Sequence, residues 1–148
     1  MIDRLPVTLA VQALLTSVTG MPVGLGRAPQ AAPPYYLLYS IDAAVGGPPL
    51  DDMNADLKLV YQITGVSGPK PGSTQSYGIE EQAEWLADQA RRVLLERDPA
   101  TGLWLHPLTV PGAKNTARAL ETEPGGTNDP SDAIISYVQR FSLDLTAS

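Results

Sequence analysis

The sequence predicts an α+β domain in which two main helices pack on one face of a sheet of about four mainly antiparallel strands. Two segments have apolar residues at helical spacing, and four have the alternation or the β-branched and aromatic content of strands. The elements follow in the order α-β-β-α-β-β, and strands joined without a helix favour antiparallel pairing. We interpret residues 1–148 as a single domain, because this length is typical of one.

The first segment, about Asp3 to Val18, has the pattern of an amphipathic helix. Its apolar residues share one side, opposite most of its threonines: Val7, Val11, Leu14, Leu15 and Val18. Asp3 is placed to cap the helix and Gly20 to end it. The stretch from Gly20 to Pro34 is rich in Gly, Pro and Ala, which predicts an extended connector.

Two strands are predicted next. Tyr35–Ile41 is aromatic or aliphatic on both faces, which favours an inner strand, and Leu57–Val66 alternates as a half-buried strand does. Between them, residues 43–55 predict a projecting loop that is long for a hairpin. Residues 67–77 are rich in Pro and Gly and predict a second projecting loop.

The clearest element is a helix from about Gly78 to Arg97. Its apolar residues form one stripe: Ile79, Ala83, Leu86, Ala90, Val93 and Leu94. Glutamates crowd the first turns and arginines the last ones, so both ends complement the helix dipole. Asp98-Pro99 is expected to end the helix.

The C-terminal third predicts two strands and a loop. Thr116–Thr122 has a weak strand pattern, and residues 121–132 predict a third projecting loop, rich in turn residues. The last segment alternates from Ile135 to Leu145, and a strand of this length usually bends or carries a bulge. Leu103–Leu108 has no clear pattern.

Composition excludes several classes of function. The formal net charge is −6 and the ten Lys and Arg residues are scattered, so no basic face is available to grip nucleic acid by its phosphates. The chain has no cysteine, which excludes disulfides and thiolate chemistry. No apolar run approaches the length of a membrane span, and the first residues lack the pattern of a signal peptide, so we expect a soluble protein without a membrane partner.

The sequence offers little for catalysis. His106 is the only histidine, so a zinc site or a Ser-His-Asp triad would have to be built around it alone. Gly24-Leu25-Gly26 is half of a dinucleotide-binding fingerprint and lacks the third glycine. We therefore expect no catalytic, cofactor-binding or metal-binding residue, and no enzyme.

Paired carboxylates keep one alternative open. Asp51-Asp52 and Glu80-Glu81 are the adjacent pairs, and carboxylate pairs perform acid–base work in hydrolases. The glutamates are also explained as charges at a helix start, and the aspartates as residues favoured in turns. A small hydrolase that uses Asp51 and Asp52 is thus an alternative of a different class.

Five residues are candidates for a subunit interface. Trp85 lies beside the apolar stripe of the second helix, either at the edge of the core or as an anchor between subunits. Trp104, in a loop, has the same two interpretations but is not one of these five. The other candidates lie in the projecting loop 67–77: Pro69, Lys70, Pro71 and Tyr77.

Four motifs between Pro34 and Leu95 carry a resemblance to a known family. They occur in the order Pro34-Tyr35-Tyr36-Leu37-Leu38-Tyr39, then Gly47-Pro48-Pro49-Leu50-Asp51, then Leu59-Val60-Tyr61-Gln62-Ile63-Thr64-Gly65-Val66, then Glu81-Gln82-Ala83-Glu84-Trp85-Leu86-Ala87-Asp88 with Arg91-Arg92. Together they resemble the tail terminator proteins of long-tailed, siphovirus-type bacteriophages, over about two-fifths of the chain.

The resemblance implies a structural virion protein. Tail terminators form a homo-hexameric ring that caps the head-proximal end of the tail tube, ends tail polymerisation and offers a surface for joining the head. It implies the major tail tube protein and a head-completion protein as partners, assembly in the host cytoplasm, and a location in the virion tail. DNA would pass through the pore without specific binding. A head–tail connector or stopper protein of the same assembly remains the alternative.

Overall fold

The computed structural model describes residues 1–31, 33–46, 56–68, 80–129 and 134–147. The elements in chain order are α1 (Arg4–Thr19), β1 (Val23–Leu25), β2 (Tyr35–Gly46), β3 (Asp56–Ser67), α2 (Glu80–Leu95), β4 (Ala113–Asp129) and β5 (Ile134–Ala147). They form one five-stranded sheet in the order β1-β2-β3-β5-β4. All neighbouring strands pair antiparallel except β1 and β2, which are parallel. The α+β class and the two helices are confirmed, and β1 is added to the four predicted strands.

Helix α1 begins and ends one residue later than predicted, and its predicted apolar side is buried except at Leu14, which is half-buried, and Val18, which is 40% exposed in the last turn. Val7, Val11 and Leu15 are fully buried, as their spacing predicts. Gly20 ends the helix with a left-handed backbone (φ 70°), and its N–H donates to the carbonyl oxygen of Thr16 at 3.0 Å. Asp3 occupies the cap position, but its side chain makes no capping hydrogen bond.

Strand β1 lies inside the stretch predicted as a connector. Its three residues pair with Tyr36–Leu38 of β2. Gly24 is required here, because a Cβ at this position would lie 2.0 Å from the carbonyl oxygen of Arg27, where the chain folds back over the strand. Gln12 Nε2 donates to the carbonyl oxygen of Val23 at 2.9 Å and ties α1 to the strand. A three-residue strand is too short to show alternation in the sequence.

The core lies between the helices and one face of the central strands. The predicted alternation of β3 is confirmed, because Leu57, Leu59, Tyr61 and Ile63 are all buried. Strand β5 adds Gln139, Phe141, Leu143 and Leu145, which pair directly with these four residues. At the α1 side, the hydroxyls of Thr8 and Tyr61 are hydrogen-bonded at 2.8 Å.

Helix α2 packs closely on the sheet at Gly65. A Cβ at this position would lie 2.9 Å from Leu86 Cβ, so glycine allows the helix to approach the strand. Two sheet side chains hydrogen-bond the helix backbone here. The Tyr36 hydroxyl donates to the carbonyl oxygen of Leu86 at 2.5 Å, and Gln139 Nε2 donates to that of Ala87 at 3.1 Å. The predicted stripe is buried where the structure describes it: Ala83, Leu86, Ala90, Val93 and Leu94.

All three predicted loops begin as strand instead. Residues 43–46 continue β2 and pair with Asp56–Leu59 of β3, after a register shift between Ser40 and Asp42. The extra residue at this bulge, Ile41, lets the strand continue beyond the predicted end. The rest of the loop predicted at 43–55 lies outside the described residues.

The acidic stretch predicted as a loop at 121–132 is β4 as far as Asp129. Pro124 is tolerated because β4 is an edge strand and its pairing shifts between Thr122 and Gly125, so the missing N–H breaks no ladder bond. Gly125 adopts a φ of 90°, which favours glycine. The bulge that the sequence predicts in the last strand, β5, therefore lies in the neighbouring strand β4. Of the loop predicted at 67–77, Ser67 ends β3, and residues 69–77 lie outside the described ranges.

Candidate functional site

Of the five predicted interface residues, the structure describes one. Pro69, Lys70, Pro71 and Tyr77 lie outside the described residues. Trp85 lies on α2, one residue before the buried Leu86, and 45% of its surface is exposed. The indole therefore lies at the edge of the core with part of its surface exposed, and exposed aromatic residues are enriched at protein interfaces.

The residues considered for catalysis do not form a site in the described part of the chain. Asp51 and Asp52 lie outside it, and Glu80 and Glu81 are exposed in the first turn of α2. Within the described residues, no group of three or more His, Asp or Glu side chains is arranged to hold a metal ion. His106 takes part in the structure through its carbonyl oxygen, which accepts a hydrogen bond from Arg118.

An apolar groove lies between α1 and residues 38–40 of β2. We call it the α1–β2 groove, and its cavity of about 540 Å³ is lined by Arg4, Leu5, Thr8, Leu25, Gly26, Leu38, Tyr39 and Ser40. Leu5 is 64% exposed, and Leu9, one turn further along α1, is exposed as well. Apolar side chains gathered around a concave surface are typical of a binding surface rather than of random exposure.

The free edge of β2 runs along the same side of the molecule. Strand β1 pairs with β2 only as far as Leu38, where the Gly26 N–H donates to the Leu38 carbonyl oxygen at 2.9 Å. From Tyr39 to Gly46, no strand in the described ranges pairs with this edge. Ile41 and Val45 are exposed along it. An unpaired strand edge with exposed apolar side chains is a template for pairing with another chain.

A second pocket surrounds Arg118 on β4. We call it the Arg118 pocket, and its cavity of about 310 Å³ is lined by Trp104, Pro107, Leu108, Thr109, Val110, Ala113, Lys114, Asn115 and Arg118. Arg118 is only 8% exposed. Its Nε donates to Asn115 Oδ1, and its Nη1 donates to the carbonyl oxygens of Leu94 at 3.1 Å and His106 at 2.9 Å. Arg118 thus joins the end of α2 to the following loop.

Trp104 lies against two guanidinium groups at this pocket. Its ring centroid is 4.0 Å from the guanidinium carbon of Arg97 and 4.8 Å from that of Arg118, both at cation–π distance. Burial lowers the pKa of Arg118 to about 10, and the nearby charge of Arg97 acts in the same direction. Trp104 thus makes a structural contact within the chain, and its role at a subunit interface stays a prediction.

One sequence pattern indicates that Arg118 is buried. The weak strand at Thr116–Thr122 places Arg118 and Leu120 on the same face by alternation. A charged residue in phase with a core leucine indicates a buried charge. The hydrogen-bond partners of Arg118 come from α2 and from the loop at 96–110, and no local pattern brings these together.

A third cavity lies where β2, β3, β4 and β5 come together around Gly46, Asp56 and Thr146. Its volume is about 620 Å³, and its polar lining includes Asp56, Lys58, Thr116 and Asp144. Asp144 Oδ1 is buried there without a hydrogen-bond partner in the described residues. Lys58 instead pairs with Glu121, at an exposed N–O distance of 3.7 Å.

Charge is distributed unevenly along α2. Its first half carries exposed acidic residues: Glu80, Glu81, Glu84 and Asp88. Its last turns carry Arg91 and Arg92, and the segment that follows carries both signs: Glu96, Arg97 and Asp98. One end of the helix is therefore acidic and the other basic, although the chain as a whole has a net charge of −6.

The fold and these surfaces define an α+β protein with exposed apolar and charged surfaces. Comparison of the chain with protein-family models and with curated proteins gives no match. Among the described residues, no helix has the length and apolar character needed to cross a membrane.

Proposed function

We propose that the chain is a structural protein that assembles into a homo-hexameric ring and caps the head-proximal end of a phage tail tube. The proposal starts from the ordered motifs that resemble tail terminators. The structural observation that supports it best is the α1–β2 groove with the free edge of β2 beside it. In this role the protein ends tail polymerisation and provides the surface to which the head is joined.

A ring needs two different surfaces that complement each other, because its subunits contact head to tail. The α1–β2 groove is an apolar surface on one helix, and Trp85 is an exposed aromatic residue on the other. The acidic start and basic end of α2 supply charges of opposite sign. These features support a repeated heterologous contact better than a self-complementary one.

The charge of the chain also suits a ring through which DNA passes. With a net charge of −6 per chain, the surface repels a polyanion rather than holding it. DNA then passes through the pore without specific binding. A ring structure whose lumen carries a net positive charge would contradict this part of the proposal.

A connector or stopper protein of the same assembly is the nearest alternative. The two roles differ in what the protein binds, since a terminator binds ends of tail tubes and a connector binds portal rings. Electron microscopy of the purified protein mixed with tail tubes, and separately with portal rings, distinguishes them. We expect density at one end of each tube and none on the portal.

Replacing Leu5 with glutamate is expected to abolish the ring. The charge enters the apolar α1–β2 groove, and burying a carboxylate in an interface costs its hydration even with Arg4 nearby. Native mass spectrometry should show the unmodified chain near 94 kDa, six times 15.7 kDa, and Leu5→Glu at the monomer mass.

The matched control is Leu103→Glu, because Leu103 has similar exposure (69% against 64%) but lies in the loop after α2. This variant should keep the ring. Both variants are also measured in the presence of tail tubes, because the ring can assemble on the end of a tube. A stable monomer under all these conditions would overturn the proposal, and equal effects of both variants would exclude the groove from the interface.

Replacing Trp85 with alanine tests the predicted anchor. A buried interface tryptophan commonly contributes about 2 kcal/mol or more, so we expect the dissociation constant of one subunit contact to rise at least about thirtyfold. The midpoint of thermal unfolding of the monomer should change little, because the side chain is partly exposed on α2. Sedimentation velocity over a concentration series measures the first quantity. Trp85→Phe is expected to be intermediate, and unchanged association of Trp85→Ala would remove Trp85 from the interface.

A further inference from the structure

Arg118 has hydrogen-bond donors that the described residues leave unused. A guanidinium carries five N–H donors. The Nε donor and both Nη1 donors are used by Asn115, Leu94 and His106. Nη2 is buried and has no hydrogen-bond partner within the described residues. An unpaired buried donor costs about 1–3 kcal/mol, and more when it is charged, so such a group normally has a partner.

The charge of Arg118 is also incompletely compensated. No salt bridge of Arg118 is found among the described residues. The carbonyl oxygen of Leu94 belongs to the last turn of α2, where the helix dipole supplies roughly half a negative charge. Against this, Arg97 stacks on the same tryptophan and Lys114 lines the same cavity, so the surroundings of Arg118 are cationic.

We propose that the Arg118 pocket binds a carboxylate group, which accepts a hydrogen bond from Arg118 Nη2 and is attracted by Lys114. A carboxylate supplies both missing elements, an acceptor and a negative charge. The cavity of about 310 Å³ accommodates a group the size of an acidic side chain. A nucleic-acid phosphate is disfavoured, because the chain has a net charge of −6 and no basic track leads to the pocket.

Binding requires a small rearrangement at Trp104. Nη2 is buried, so an incoming oxygen reaches it only if a neighbouring side chain shifts. The partly exposed Trp104 ring lies against Arg118 and lines the same cavity. A carboxylate on Nη2 therefore changes the surroundings of this indole, which makes Trp104 fluorescence a reporter of occupancy.

The carboxylate has two sources that share this chemistry. One is a small carboxylate in solution, and the other is an acidic side chain of a second copy of the chain. The exposed acidic residues at the start of α2 are suitable for the second source: Glu80, Glu81, Glu84 and Asp88. The site does not depend on the ring, so the test uses the chain whether or not it assembles.

The test adds acetate to the protein and, in a separate titration, chloride, with the ionic strength held constant in both. The Trp85→Phe variant leaves Trp104 as the sole tryptophan for fluorescence, and the unmodified chain is followed by the NMR signal of the Arg118 Nε–H. We expect a saturable change with acetate. Lys114→Gln should weaken acetate binding about twofold to fivefold, as expected for an exposed charge. Lys58→Gln, which removes an exposed lysine from a different cavity, is the matched control and should leave binding unchanged.

The outcomes distinguish a carboxylate of a second copy from a small carboxylate in solution, and they show whether the pocket binds a carboxylate at all. If the Arg118 Nε–H signal of the unmodified chain responds to protein concentration without acetate, the carboxylate comes from a second copy. If Trp104 and Arg118 respond to acetate alone, the pocket takes a small carboxylate. Equal responses to chloride and acetate show an adventitious anion only and overturn the proposal. No response to either acetate or protein concentration, or equal weakening by both lysine variants, also overturns it.

Discussion

Replacing Gly65 with valine is expected to lower the free energy of unfolding by about 3 kcal/mol, which is the upper part of the range for overpacked cores. The cause is local. A Cβ at this position lies 2.9 Å from Leu86 Cβ, and the branched side chain of valine extends further toward α2. Because the Tyr36 hydroxyl and Gln139 hold this part of the helix through the carbonyl oxygens of Leu86 and Ala87, α2 cannot shift without breaking those bonds.

Urea unfolding of the unmodified protein and of Gly65→Val measures this change, with one common value for the dependence of the free energy on urea concentration. Gly46→Val is the matched control, since Gly46 is also a strand glycine and a Cβ there meets nothing within 4 Å. It should cost little or stabilise slightly, because valine favours extended backbone. If Gly65→Val is as stable as Gly46→Val, α2 does not pack on β3 as described.

The sequence predicted the elements in which burial leaves a regular pattern. Both helices and the alternation of β3 were found, because one side of each is buried at a fixed period. Strand β1 was missed since three residues around a glycine have no period. The length of β4 was missed because Pro124 and Gly125, which mark a turn in most contexts, are accommodated in the bulges of an edge strand.

The candidate site was less predictable than the fold. Trp85 was singled out because it lies off the apolar stripe of α2, and its exposure bears out that position; its role as an anchor stays a prediction. The α1–β2 groove joins residues of α1, β1 and β2 that are far apart in sequence, so no local pattern indicates it. The unused donors of Arg118 become visible only when the partners of its other donors are known.

Raising the pH above 10 is expected to remove the stabilising contribution of the Tyr36 phenolic proton. Burial raises the pKa of Tyr36 well above its ordinary value of 10.0. Above this pH the unfolded chain has lost the phenolic proton while the folded chain keeps it, so the unfolded state binds fewer protons and the free energy of unfolding falls. The loss is about 1.4 kcal/mol per pH unit for one such group, until Tyr36 ionises in the folded state.

Three other groups act in the same range, and one of them is Tyr137, whose pKa is raised by burial and by the nearby charge of Glu123. Burial also raises the pKa of Tyr61, which adds to the loss, although the Thr8 hydroxyl and the charge of Arg4 reduce the effect. Arg118 acts in the opposite sense, because its pKa of about 10 is lower in the folded chain than in the unfolded one. Its contribution makes stability rise with pH above 10. The change of the free energy of unfolding with pH is therefore a sum over these groups, and a variant is needed to isolate the contribution of Tyr36.

Tyr36→Phe isolates this contribution. At pH 8 the variant should be less stable by about 1 kcal/mol, because it lacks the hydrogen bond from the hydroxyl to the Leu86 carbonyl oxygen. Above pH 10 it escapes the proton-linked loss, so the difference should shrink by about 1.4 kcal/mol per pH unit and then change sign. Urea unfolding at pH 8, 9, 10 and 11 measures the difference. A constant difference across this range would mean that the Tyr36 hydroxyl ionises as easily in the folded chain as in the unfolded one, which its burial between β2 and α2 forbids.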